Sequence, residues 1–129
     1  MKRLLLALTL AATLVGCSTS DGGRRWVRSE IHFGLSRPDG SSISQEDWQK
    51  FMDDVVTPAF PAGLSVVDSR GQWRNASGHI DKEPSKVLVL PHPRAAEVEQ
   101  RIDEIRSTYC RRFQQEAVMK VTSPARVQF

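Results

Sequence analysis

Apolar and polar residues alternate with a period of two from Trp26 to Leu35. Val27, Ser29, Ile31, Phe33 and Leu35 fall on one side, and Trp26, Arg28, Glu30, His32 and Gly34 on the other. This pattern predicts a strand with one buried face. Ser36-Arg37-Pro38-Asp39-Gly40 reads as a turn. The period then changes: Trp48, Phe51, Met52 and Val55 form the apolar stripe of an amphipathic helix. Ser44 is its cap, with Asp47 three residues on. Pro58, lacking a backbone N–H, predicts that the helix stops near Val56.

After Phe60-Pro61 and a sharp entry at Gly63, Leu64–Asp68 predicts a second strand. Ser69-Arg70-Gly71 predicts a bend or bulge, with Gln72-Trp73-Arg74 resuming the strand beyond it. The mostly polar run from Asn75 to Lys82 suits a hairpin tip. Lys86-Val87-Leu88-Val89-Leu90 is apolar on both faces, as in a central strand. Pro91-His92-Pro93 ends that strand and opens a second helix over 95–114. Ala95, Val98, Ile102, Ile105, Tyr109 and Phe113 recur along it at spacings of three and four. Ala117–Thr122 forms the last strand, broken by Pro124, and Arg126–Phe129 extends it after the bend.

The order is β-α-β-β-α-β, which predicts an α+β fold, the ferredoxin-like sandwich. Its antiparallel sheet carries both helices on one face, leaving the other for a partner or ligand. A content of 40% hydrophobic and 26% charged residues fits one soluble domain, assigned to residues 24–129. Excluding residues 1–16 leaves 113 of 129, enough for a single core without disulfides.

Those 16 residues read as an address. Met1-Lys2-Arg3 is positive, and Leu4 to Val15 is an apolar run interrupted by two threonines. A bilayer-spanning helix needs about twenty apolar residues, so this one is signal-peptide sized. It ends in Leu14-Val15-Gly16-Cys17, which resembles the bacterial lipobox. In that motif the cysteine receives acyl chains such as palmitate and becomes the new N-terminus. More than one chain gives stable anchoring. Residues 17–23 then form a lipidated tether, rich in small polar residues. Ser18 stands where an Asp would resemble an inner-membrane retention signal, so the outer membrane is the expected destination. The predicted location is the periplasmic face of the cell envelope.

Charge and cysteine usage narrow the function. Removing Lys2 and Arg3 from 18 basic residues leaves 16 against 15 acidic ones. That near balance, without a basic cluster, excludes a nucleic-acid footprint. With Cys17 lipidated, Cys110 has no disulfide partner and reads as an inert, half-buried thiol of the second helix. His32, His79 and His92 lie in three different elements without metal-ligand spacing, so no metal is expected. Neither a glycine-rich phosphate loop nor a nucleophile elbow occurs, and no cofactor is expected.

Several segments together carry a family resemblance. They are Glu30-Ile31-His32-Phe33-Gly34, Phe60-Pro61-Ala62-Gly63-Leu64, Gly71-Gln72-Trp73-Arg74, Glu83-Pro84-Ser85-Lys86 and the run from Tyr109 to Val118. In this order and spacing they resemble a bacterial domain-of-unknown-function family, number 3574, of small secreted or lipid-anchored proteins. Ala62 departs from it, since the family carries an acidic residue there. The resemblance implies no activity.

Two sets of residues are chemical candidates. Arg28, Glu30 and His32 share the outward face of the first strand, about 7 Å apart. Glu30 and His32 are the catalytic candidates, because a His near a carboxylate serves as acid or base near neutral pH. The same face reads equally as a solvated polar surface, or as the contact of a homodimer. Arg28, Trp73, Arg74, Glu83, Arg112 and Gln115 are the binding candidates. Arg offers a forked donor to anions, and Trp a stacking plane. The structural alternative has Trp73 stapling the hairpin to the core while Arg74 pairs with Glu83. The leading functional reading is an anchored periplasmic module binding a ligand or protein. The alternative is a small enzyme acting on a polar anionic substrate, with Arg74 or Arg112 holding the anion.

Overall fold

The computed structural model describes residues 23–129. The predicted signal peptide, Cys17 and all but the last residue of the tether lie outside them. Strand β1 (Arg24–Gly34) leads to helix α1 (Gln45–Phe51), which continues through a π-helical turn (Met52–Val56) and a last α-helical turn (Thr57–Ala59). Strands β2 (Ser65–Arg74) and β3 (Ile80–His92) form a hairpin. Helix α2 (Ala96–Phe113) and strand β4 (Met119–Val127) complete the chain. The sheet order is β2-β3-β1-β4, every neighbour antiparallel, and the architecture is the predicted ferredoxin-like sandwich.

The alternation of β1 aims Val27, Ser29, Ile31 and Phe33 at the helices, and all four are buried. Leu88 and Leu90 lie opposite Ile31 and Ser29 on the same face. The core closes around an aromatic cluster in which Phe33, Phe51, Tyr109 and Phe113 meet mostly edge to face, with centroids 4.7–6.0 Å apart. Tyr109 donates its hydroxyl to the Gly34 carbonyl at 2.8 Å, so its polar end is satisfied. Ser44 caps α1 as expected, its hydroxyl accepting from the Asp47 N–H.

The structure corrects four boundaries. The first helix does not stop near Val56: the chain stays helical to Ala59. The Thr57 N–H reaches back five residues to the Met52 carbonyl, and Pro58 sits in the first turn of the final segment. No bend or bulge interrupts β2 at Ser69–Gly71, because every residue from Ser65 to Arg74 pairs in one unbroken register. The hairpin tip is shorter than expected, as β3 resumes at Ile80. Likewise Pro124 does not break β4, whereas Pro91-His92-Pro93 ends β3 as expected, with His92 its last residue.

The hydrogen-bond parity explains both prolines. The Leu35 N–H donates to the Pro84 carbonyl and the Asn75 N–H to the His79 carbonyl. In antiparallel ladders the main-chain groups of successive residues point to alternate sides. Even residues of β3 therefore turn toward β1 and odd ones toward β2. It follows that even residues of β2 and of β4 turn outward, to the two free edges. Pro124 thus lacks only a donor that no strand would use. Pro91 faces the β2 side, beyond the last β2 pair at Ser65–Val89.

Candidate binding surface

Both helices lie on one side of the sheet, so among the described residues no element covers the other. Two rows cross this open face. One holds Val67, Val87, His32 and Met119; the next holds Ser65, Val89, Glu30 and Val121. Met119 is 55% exposed, Val67 50% and Val121 44%. Arg28 Nη2 lies 2.8 Å from Glu30 Oε1, and Glu30 Oε2 lies 3.8 Å from His32 Nε2. The first pair is tighter than ideal strand spacing allows, because the long Arg28 side chain leans along the strand. A polar stripe thus runs down β1 between apolar flanks. At the exposure of these groups the ion pair itself adds about 0–1 kcal/mol, so its geometry points to recognition more than to stability.

Beyond the end of β1, residues 70–84 continue as a two-stranded arm. Trp73 sits there opposite Asp81 and is 50% exposed, so it does not staple the hairpin to the core. Arg74 lies opposite Ile80 and on the other face of the arm, and it does not pair with Glu83. Glu83 instead lies over Gly34 and accepts the Ser36 N–H at 2.9 Å. Gln115 donates to the Ser36 carbonyl at 2.8 Å. Glu83 and Gln115, far apart in sequence, thus meet on the two main-chain groups of one residue. Arg112 holds Asp54 at 3.2 Å and lies over the Phe113 ring, which Arg37 also faces.

The candidates therefore divide into three sets. Arg28, Glu30 and His32 are brought together on the open face. Glu83, Gln115 and Arg112 fasten the loop after β1 and the end of α2. Trp73 and Arg74 project from opposite sides of the arm. Glu30 and His32 are on the other side of the sheet from Arg74 and Arg112, so no single pocket holds the four together. A groove of about 420 Å³ runs along the arm, lined by residues such as Arg70, Gly71 and Glu83. Among the described residues no group of three His, Cys, Asp or Glu is placed to hold a metal ion.

One polar cluster escaped the sequence reading. Ser29 Oγ lies 2.9 Å from His92 Nε2 and 3.3 Å from Thr122 Oγ1, while His92 Nδ1 lies 2.8 Å from the Pro93 carbonyl. That carbonyl only accepts, so Nδ1 carries a proton, and in the neutral ring Nε2 accepts from the serine hydroxyl. The order of groups is that of an activated serine. Ser29, however, has no exposed surface and His92 is 4% exposed, so no substrate reaches them. The cluster satisfies buried polar groups. Its signal in the sequence is Ser29, the polar member of an otherwise apolar inward series.

Solved structures share this fold at low sequence identity. A phage SAM lyase in complex with S-methyl-5'-thioadenosine matches with a TM-score of 0.63 and 16% identity, over 81% of this chain and 90% of that one. The phage SAM lyase in its apo state matches with a TM-score of 0.60 and 17% identity, over 90% and 87%. CutA from Synechococcus elongatus matches with a TM-score of 0.50 and 10% identity, over 81% and 80%. At these identities the likeness extends to the fold alone. No curated protein sequence matches the chain. The family profile described as "Protein of unknown function (DUF3574)" matches residues 28–129, nearly the whole domain, and the chain belongs to that family.

Proposed function

We propose that this protein is a periplasmic lipoprotein, anchored through acylated Cys17 to the outer membrane, whose domain binds a protein partner on the open sheet face. The observation that carries this reading is the face itself: Val67, Met119 and Val121 are half exposed around a stripe of Arg28, Glu30 and His32. Exposed apolar side chains on both flanks of a central polar stripe offer buried area and orienting polar contacts together, as a macromolecular contact does. A flat sheet encloses little of a small molecule, which favours a protein occupant. The leader and the lipobox-like Leu14-Val15-Gly16-Cys17 support the anchoring.

The test places a photo-crosslinking residue at Met119 or at Glu104, on the exposed side of α2, in the full chain expressed in a two-membrane bacterium. The expected result is one discrete protein adduct from position 119, lost with Val121→Glu, and none from position 104. Equal labelling from both positions, or no adduct from 119, refutes the binding face. Cys17→Ala should move the protein from the membrane to the soluble fraction.

A second reading is a small enzyme using Glu30 and His32 as acid and base on a polar small molecule, without the anion-holding role of Arg74 or Arg112, which lie on the opposite side of the sheet. The likeness to a SAM lyase supports it through fold only. A rise in melting temperature with S-methyl-5'-thioadenosine that His32→Ala abolishes would favour this reading over the first.

A further inference from the structure

The two edges of the sheet are unequal. On β4 the outward-facing residues are Lys120, Thr122, Pro124 and Arg126, so a proline sits within the row of donors. On β2 they are Val66, Asp68, Arg70, Gln72 and Arg74, and every one carries an N–H. β2 is ten residues long, free of proline and bulges, and exposed along nearly its whole length. Such an edge is a ready template for another strand.

We infer that the β2 edge pairs antiparallel with β2 of a second copy, centred on Ser69. A two-fold axis at Ser69 places Asp68 opposite Arg70 of the other copy, and Arg70 opposite its Asp68. Two opposite-charge cross-strand pairs form in one step. Arg70 is available for this, as it has no ion pair or hydrogen bond among the described residues, while Asp68 accepts from Lys86 through Oδ1 but is 84% exposed and keeps Oδ2 for a second cation. Sizes match in the same register. Trp73 faces the small Ser65, and Val67 faces Gly71, which leaves room for the indole to cover the valine diagonally. Val67 and Trp73, each 50% exposed, are thereby sheltered.

Hydrogen-bond parity agrees with this register. Residues 66, 68, 70 and 72 turn their main-chain groups outward and form the bonded pairs 66–72 and 68–70 across the axis. Ser69 turns inward, so the axial pair is the close, non-bonded kind, with Cα atoms about 4.5 Å apart. No other centre in β2 sets Asp68 against Arg70. The product is one eight-stranded sheet, with both open faces on the same side and, apart from Val67, uncovered.

The geometry dictates the test. A 4.5 Å axial pair is within disulfide reach. In the full chain in detergent micelles, with Cys110→Ser removing the other thiol of the domain, Ser69→Cys should cross-link under mild oxidation. The rate should be about ten times that of Ser77→Cys at the hairpin tip, reflecting a held rather than a random encounter. Arg70→Asp sets like charges opposite each other twice and should slow cross-linking about tenfold, and Asp68→Arg combined with Arg70→Asp should restore it. Melting temperatures confirm that each variant folds. Equal rates at positions 69 and 77 overturn the proposal, and so does a rate indifferent to the charge changes. Loss of the Met119 adduct described above bears on the open face only and leaves this edge contact standing.

Discussion

Gly34 lacks a side chain at a place where Glu83 needs the room. A Cβ on Gly34 would stand 2.6 Å from the Glu83 carboxyl carbon, with both carboxylate oxygens crowded against it. Gly34→Ala should therefore expel the carboxylate and leave the Ser36 N–H without its acceptor. The expected loss is about 1–3 kcal/mol by urea denaturation. Glu83→Ala removes the same bond. The double variant should therefore cost about 1 kcal/mol less than the sum of the single ones; strict additivity would contradict the contact. At this scale the sequence was least legible. Glu83 and Gln115 stood out as polar residues in recognisable segments, but that both serve Ser36 depends on the path of a loop that carries no periodicity. Arg74 and Trp73 misled for a related reason: strand alternation separates adjacent residues to opposite faces.

The elements were read more faithfully, because each rests on a period. Helix α2 and strand β1 came directly from spacing and burial pattern. The exceptions are the interruptions expected at Gly71 and Pro124, since a proline breaks a ladder only when its missing N–H faces a partner. Which side of a strand faces a partner is a property of the sheet, not of the segment. The end of α2 offers a direct test. Gln114 terminates the helix at φ 58°, in the left-handed region that favours glycine, and its N–H returns to the Cys110 carbonyl. Gln114→Gly should stabilise the domain by about 1 kcal/mol, seen as a higher denaturation midpoint at unchanged slope. Gln114→Val should do the reverse.

For the whole molecule, the β-α-β-β-α-β order and the two-sided character of β1 made the fold and its open face legible, whereas the occupant of that face has no local signature. The pH dependence of stability also belongs here. The Arg37 hydrogen bond holds Asp47 below its ordinary value of 3.8. Burial pushes Asp103 up, but Arg106 and Lys120 outweigh it and hold that carboxyl low as well. As pH falls, the unfolded chain takes up these protons first. Their contribution is thus complete above about pH 4 and fades below it. Burial, aided by the Glu83 carboxylate, pushes the Tyr109 phenol well up. Ionisation near pH 10 then favours the unfolded chain, and stability falls as pH rises past that point. Thermal unfolding should accordingly show a plateau with an acid and an alkaline limb. Arg37→Met should make the first shallower, leaving the Asp103 part in place, and Tyr109→Phe should flatten the second, and limbs insensitive to both changes would count against this assignment. Tyr109 is the chain's one tyrosine, so tyrosinate absorbance reports its ionisation alone.

Pro124 has a consequence for growth. A sheet with two receptive margins adds copies at both ends and becomes a ribbon, a hazard for any protein crowded on a surface. Here one margin has a missing donor, so addition has a single direction. Two molecules meeting through their receptive margins leave only proline-blunted ones outside, and the assembly terminates itself at a pair.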